Sequence, residues 1–297
     1  MARLTVPRDR GFRAGEPKRS KSHLRWLGHS TVVVELDGTR LLTDPLLRKQ
    51  VFHLRRAAPL EREDLGGIDA ILISHVHYDH LDLPSLKTFP LDTPVCVPIG
   101  VGRLLRRRGF PCTVEMAAGD EVSFGSVTVR AVRAEHLSRR VLGWRSEALG
   151  YVMEGERSVY FTGDTGLFSA MAEVASQPDV ALLPIWGWGP FLGPSHLDPQ
   201  RASQALALIQ PKMAVPIHWG TYYVPGLVRS RPASLKAPAH TFVQAAAINA
   251  PAVKVRILPV GGALSLDHCL GRRAWTERGG VARLAQKQDP HEEVEDE

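Results

Sequence analysis

The sequence predicts a single layered α/β domain, and three observations carry that expectation. Short apolar, β-branched runs recur between glycine, proline and aspartate turn signals, which reads as a series of strands. A few segments instead space their apolar residues three and four apart behind a proline, which reads as helix. Histidines and aspartates stand at the ends of several of the strands, where sheet folds gather their functional groups.

Taken in order, Ser30–Leu36 and Thr39–Thr43 flank Asp37-Gly38, a strong hairpin signal. Ile68–Ile73 is a short, apolar, buried-type strand, and Asp82 after it can cap a helix with Pro84 in its first turn. Pro94–Pro98, Thr113–Met116 and Val127–Val132 are further strands, and Leu149–Met153 pairs with Ser158–Thr162 across Glu154-Gly155-Glu156. Later strands are Val180–Ile185, Met213–His218 and Val253–Val260. Asp198 caps the clearest helix, with Pro199 in its first turn, Ala202, Ala205, Leu206 and Ile209 at helical spacing, and Pro211 beyond its end. His240–Ile248 is a second helix. No fixed-period repeat and no Ser/Gly-rich linker interrupts this body, which argues for one domain.

The run Ser74-His75-Val76-His77-Tyr78-Asp79-His80 follows the Ile68–Ile73 strand directly. Residues two apart on an extended chain point the same way, so His75 and His77 can grip one cation, and a turn then swings Asp79 and His80 towards a second position. Three more residues of ligand type occur at similar places. His136 follows Val127–Val132, Asp164 follows Tyr160-Phe161-Thr162-Gly163, and His218 ends Met213–Ile217. Alone, His136 or His218 reads as a hydrogen-bonded structural histidine, and Asp164 as a turn residue. Together they read as a metal site.

Composition bounds the partners. The 297 residues are 44% hydrophobic and carry a net charge of +6. The first 22 hold Arg3, Arg8, Arg10, Arg13, Lys18, Arg19 and Lys21 without an apolar core of the secretory kind, and five carboxylates lie in the last seven. Both ends read as tails. A basic balance favours anionic partners. No apolar stretch approaches the roughly 18–20 residues needed to cross a bilayer. Cys96, Cys112 and Cys269 are too scattered for a disulfide framework; each reads as a small buried hydrophobe, and the expected compartment is the cytoplasm.

The sequence resembles the metallo-β-lactamase fold hydrolases from Trp26 to about Leu266. Within them it is most similar to the branch of N-acylphosphatidylethanolamine-hydrolysing phospholipase D and the ascorbate-6-phosphate lactonases. The residues that carry this are Trp26-Leu27-Gly28-His29-Ser30, Leu42-Thr43-Asp44-Pro45, Ser74–Asp82, Phe161–Gly166, Ser195-His196-Leu197-Asp198-Pro199 and Ile217-His218-Trp219-Gly220-Thr221. The resemblance implies a four-layer αβ/βα sandwich, two mixed sheets face to face with helices outside. With the tails read from composition, the chain divides into a basic, disordered segment (1–22), the hydrolase-like domain (23–270) and a tail, acidic at its end (271–297).

The resemblance also implies two divalent cations. His75, His77 and His136 would hold one, Asp79, His80 and His218 the other, with Asp164 bridging and Asp44 orienting a ligand histidine from behind. Imidazole and carboxylate donors suit zinc first, with manganese or iron also accommodated. Such a pair activates water for hydrolysis near neutral pH. A glutamate at position 77 would instead have pointed to a di-iron redox site, and a cysteine at 164 to a true β-lactamase. Asp79 and His196 are the candidates for catalysis itself; His196 can hold a phosphate oxygen, protonate a leaving alkoxide or simply fix the helix start. His29 reads as a supporting or structural residue.

The expected reaction is phosphodiester hydrolysis of a small or phospholipid-like anionic substrate, with peripheral contact to a membrane. A sugar-phosphate lactonase is the alternative, and a non-catalytic metal or nucleic-acid binding module is the alternative of another class. The mixed basic and apolar segment Pro45–Arg56 can lean on lipid headgroups or be a surface loop. Arg103 and Arg106 to Arg108 can do the same or be a solvated helix face. Trp186, Trp188, Phe191, Tyr222 and Tyr223 are candidates for the wall of an apolar pocket.

Overall fold

Alternating side chains along the first strands face two different cores, and that alternation sets the architecture. A computed structural model describes residues 4–5, 22–60, 65–139, 145–175, 177–187, 193–225 and 235–270. The early strands are β1 (Leu4–Thr5), β2 (His23–Gly28), β3 (Thr31–Leu36), β4 (Thr39–Thr43), β5 (Gln50–Val51), β6 (Leu54–Arg56), β7 (Ala70–Leu72), β8 (Val95–Pro98) and β9 (Thr113–Met116). On these, Val32, Val34, Leu36, Leu41, Ala70, Leu72 and Cys96 join the main core. The intervening Val33, Leu42, Ile71, Val95 and Val97 join a second core on the opposite face. Helices α1 (Leu83–Leu86) and α2 (Gly102–Arg107) close that second face with Leu86 and Leu105.

The later strands are β10 (Glu121–Phe124), β11 (Val127–Arg139), β12 (Arg145–Glu154), β13 (Ser158–Phe161), β14 (Val180–Pro184), β15 (Met213–Ile217), β16 (Tyr222–Tyr223), β17 (Lys254–Val255) and β18 (Ala263–Ser265). Among the described residues they complete a seven-stranded sheet in the order β18-β2-β3-β4-β7-β8-β9 and an eight-stranded one in the order β1-β10-β11-β12-β13-β14-β15-β17. Both sheets mix parallel and antiparallel pairs. They share the main core face to face. β14 and β15 are buried at every position, as parallel strands covered on both faces are. Helix α3 (Met171–Val174) adds Met171 to the main core. The cover of these strands includes α4 (Pro199–Ile209) and α5 (Ala237–Asn249), whose Ala205, Leu206, Ile209 and Phe242 reach the same core. The result is the four-layer sandwich of two mixed sheets flanked by helices. A three-stranded sheet, β16-β6-β5, adds a small core of Leu46, Val51, Leu54 and Tyr222.

Several expected elements change length. Val127–Val132 extends to Arg139 and Leu149–Met153 starts at Arg145, because the two strands continue as a paired arm beyond the core, where polar residues hide the strand pattern. His136 therefore lies inside β11 rather than after it. The pairing of β11 with β12 slips between Ala134 and Ser138, and this bulge re-aims the side chain. Val253–Val260 shortens to Lys254–Val255, after which Gly261 and Gly262 exchange backbone hydrogen bonds with Trp26. Cys96 is buried and its thiol pushed up to about 12 by burial, but Cys112 is exposed in the loop before β9 and Cys269 is half-buried. No helix among the described residues is long and apolar enough to cross a membrane.

Candidate metal centre

Strand ends bring the predicted residues together. Asp44 follows β4, the Ser74–His80 run follows β7, Asp164 follows β13 and His218 follows β15, all at the carboxyl ends of strands where open sheets place their sites. The β11 bulge supplies His136 from the side. Glu135 is held there by its N–H donating to Thr165 Oγ1 (3.0 Å) and its carbonyl accepting from Gly166 N–H (2.8 Å).

Two clusters of ligand atoms result. His75 Nε2 lies 2.9 Å from His77 Nδ1, which is 3.1 Å from His136 Nε2. In the second cluster His80 Nε2 is 3.3 Å from His218 Nε2, and Asp79 Oδ2 is 3.5 and 3.7 Å from the two. Asp164 joins the clusters. Its Oδ2 is 3.3 Å from His80 Nε2, its Oδ1 is 3.5 Å from His218 Nε2, and a ligand atom of it falls within 4.8 Å of His136. Donors held 2.0–2.1 Å from a tetrahedral zinc lie about 3.3 Å from one another. The observed spacings scatter around that value.

Tautomers make the case for cations chemically. His218 Nδ1 must donate to the Trp186 carbonyl (2.7 Å) and His136 Nδ1 to the Ser195 carbonyl (2.9 Å), because a carbonyl only accepts. His80 Nδ1 donates to the Asp44 carboxylate (2.7 Å). In the neutral rings the facing Nε2 atoms thus carry lone pairs, and they converge with carboxylate oxygens that also only accept. Asp164 Oδ1 is buried without a hydrogen-bond partner. Acceptors crowded this closely need a positive charge among them. The direction of the proton affinities agrees: burial opposes charge on His80 and His218, yet the Asp164 and Asp79 carboxylates outweigh it and raise both. His75 and His77, with less carboxylate nearby, are lowered by burial first and by neighbouring imidazoles next, His77 to about 4.

Supporting contacts fix each donor. Asp44 accepts from Ser74 N–H (2.7 Å), Ser74 Oγ–H (2.5 Å) and His80, all fully buried. Ser74 Oγ also meets His75 Nδ1 at 2.9 Å. His29 Nε2 lies 2.9 Å from Asp79 Oδ2, and burial followed by His218 pushes its pKa down to about 3, so the neutral ring donates this bond. The main-chain carbonyls of Trp186 and Ser195 left no trace in the sequence pattern, since any residue type offers a carbonyl.

The Trp26–Ser30 and Ile217–Thr221 motifs clasp each other. Trp26 stacks on Trp219 with ring centroids 5.3 Å apart, His218 N–H donates to the His29 carbonyl (2.9 Å), and His29 N–H donates to Thr221 Oγ1 (2.6 Å). Gly28 sits at φ +108 with no room for a Cβ, which would meet Thr221 Cγ2 at 2.6 Å. Gly28→Ala is expected to cost about 1–3 kcal/mol. A fall in the urea midpoint would register it, and an unchanged midpoint would show that the clasp does not need the close approach.

Of the aromatics expected to wall a pocket, Tyr222 is buried in the small core and serves packing. Trp186 packs partly buried against the main core and fixes His218 through its carbonyl. Trp188 and Phe191 lie outside the described residues, as do residues 6–21 and the tail from 271. Arg106 on α2 pairs with Glu115 (3.2 Å) while Arg103 faces solvent. His196 is part-exposed, with Nε2 3.8 Å from Asp164 Oδ2 and its ring against that of His136.

Comparison with known proteins shows the family and the fold. Residues 39–219 match the family described as "Beta-lactamase superfamily domain". The chain is 31% identical to N-acyl-phosphatidylethanolamine-hydrolyzing phospholipase D 1 of Caenorhabditis elegans over 66% of its own length and 63% of the worm protein, so it spans somewhat under two thirds of that relative. It is 32% identical to a UPF0173 metal-dependent hydrolase of Koribacter versatilis, covering 68% of the chain and 85% of that protein. Among solved structures, Igni18, a metallo hydrolase from the archaeon Ignicoccus hospitalis, superposes with a TM-score of 0.62 at 23% identity, over 82% of this chain and 98% of that one. With the family match running over residues 39–219, the chain belongs to the beta-lactamase superfamily and has the metallo-β-lactamase fold.

Proposed function

We propose that residues 23–270 form a metal-dependent hydrolase domain that cleaves phosphodiesters, with a phospholipid-like anionic molecule as the substrate class. The observation that carries the hydrolase reading is the pair of histidine and carboxylate clusters that Asp164 reaches, its Oδ1 buried without a hydrogen-bond partner. His75, His77 and His136 would hold one divalent cation and Asp79, His80 and His218 the second, zinc by preference for this donor set. When bound, such a pair lowers the pKa of a shared water and polarises the ester oxygen it contacts. The phosphodiester preference is supported by the likeness to the worm phospholipase.

The chain's own residues do the rest. Asp79, fixed by the His29 N–H, orients the water through its carboxylate. His196 stands at the edge of the bridge, part-exposed, where its imidazole can hold a phosphate oxygen or give a proton to the leaving alkoxide. The Ser195 and Trp186 carbonyls keep the His136 and His218 rings turned inward, so that no rotation is needed when substrate arrives.

The test pairs bis-p-nitrophenyl phosphate with a simple lactone, using zinc-loaded protein. Phosphodiester turnover that disappears with a chelator and returns with zinc is the expected result. Lactone turnover without phosphodiester turnover would move the assignment to a lactonase, and no turnover of either ester with intact metal would favour a binding role.

A further inference from the structure

We propose that the β5–β6 hairpin is an anionic-membrane contact that sets the mouth of the metal centre on a phospholipid surface. The two-residue tip, Phe52-His53, joins Val51 and Leu54, which pair with each other and are both buried. Phe52 is 64% exposed and has φ +48, a backbone conformation that a bulky aromatic residue rarely adopts. Glycine would sit there without strain, so an aromatic ring held out at this point calls for a use of the ring.

Its surroundings specify the use. Lys49, His53 and Arg55 are exposed around the tip, and no Asp or Glu lies between Pro45 and Leu60. Of the other two cations there, Arg48 pairs with Asp82 (3.2 Å) and Arg56 is turned inward. A ring at the apex with cations behind it matches the layering of a bilayer surface, where acyl chains lie beneath phosphate headgroups. The platform is stiff. Gln50 Nε2 donates to the Phe52 carbonyl (2.9 Å), and inward-facing Arg56 donates to the carbonyls of Leu46 and Leu27 and to Tyr222 Oη.

The hairpin also adjoins the site. The Phe52 ring stands edge-on to Tyr78 with centroids 5.2 Å apart, and Tyr78 lies in the chain between His77 and Asp79, one from each cluster. Contact through Phe52 therefore brings both clusters to the lipid surface. This deepens the phospholipid reading above, but its readout is binding, so it stands or falls whichever ester the centre cleaves.

Co-sedimentation of the full, metal-loaded chain with vesicles tests it. The chain should pellet with phosphatidylcholine–phosphatidylglycerol vesicles and not with phosphatidylcholine alone. Phe52→Gly relaxes the tip, so it should keep or raise the melting temperature, yet lose at least about fivefold in vesicle partitioning. Lys49→Gln and Arg55→Gln should each weaken partitioning about fivefold at low salt. Ile248→Ser on α5, at another exposed apolar residue, should change nothing. Partitioning of Phe52→Gly equal to wild type, equal binding to both vesicle types, no pelleting at all, or displacement from vesicles by an oligonucleotide would each overturn the proposal.

Discussion

Replacing Asp164 with asparagine is expected to lower phosphodiester turnover by about a thousandfold and to reduce bound zinc from two ions per chain towards one. The carboxylate reaches both clusters: Oδ2 is 3.3 Å from His80 Nε2 and Oδ1 3.5 Å from His218 Nε2 in the second, and a ligand atom of it lies within 4.8 Å of His136 in the first. An amide of the same shape loses the negative charge and turns a donor towards rings whose Nε2 atoms carry lone pairs. It can then satisfy those rings itself and so removes the need for a cation between them. Fold stability in the presence of a chelator should also fall, because with no cation bound the His80 and His218 rings, whose proton affinity Asp164 raises, pair with the wild-type carboxylate. Elemental analysis of the purified variant decides the matter. Wild-type metal content with wild-type turnover would rule out a bridging role for Asp164.

Asp44→Ala is expected to act on metal and fold at once. The carboxylate accepts three hydrogen bonds, from Ser74 N–H, Ser74 Oγ–H and His80 Nδ1–H, and every group is fully buried. Alanine strands these donors away from water, at a cost of about 3–5 kcal/mol. It also frees the His80 ring to turn, which should weaken zinc binding about 10–100-fold. Urea unfolding with chelator present isolates the first effect, and competition against a chromophoric chelator measures the second. Asp44→Asn keeps one acceptor and should fall between. Zinc affinity unchanged in Asp44→Ala would confine Asp44 to the fold.

Much of this arrangement is legible in the sequence because its signals are chemical types at recurring places. The strands of the seven-stranded sheet announce themselves through β-branched residues such as Val32, Val33 and Val34, and α4 through Asp198 and Pro199. The seven predicted donors stand close together because each follows or interrupts a strand that the core places beside the others. The remainder is hidden for physical reasons. The β11–β12 arm is stabilised by backbone pairing outside the core, so Arg133, Glu135 and Ser138 carry no apolar alternation. The slip that aims His136 is a matter of register, which no single residue type specifies. Trp186 and Ser195 act through carbonyls, and the left-handed backbone at His29, Asp44 and His218, which Asp and His tolerate better than most residues, is selected at those positions by tertiary contacts.

The clasp between the Trp26 and Trp219 segments bears on how the protein is made. The hydrogen bond from His29 N–H to Thr221 Oγ1 closes over 192 positions of the chain, and His218 is placed by the same contacts. His75, His77 and Asp79 leave the ribosome long before His218 does, so an early chain offers thirsty, half-built donors to any passing ion. Only the late arrival of strand β15 closes the second cluster, and long-range closure of this kind is slow. Completion of both donor clusters thus waits on the end of synthesis and sheet assembly. A chain truncated before His218 should capture metal loosely and indiscriminately, as an unfinished protein would.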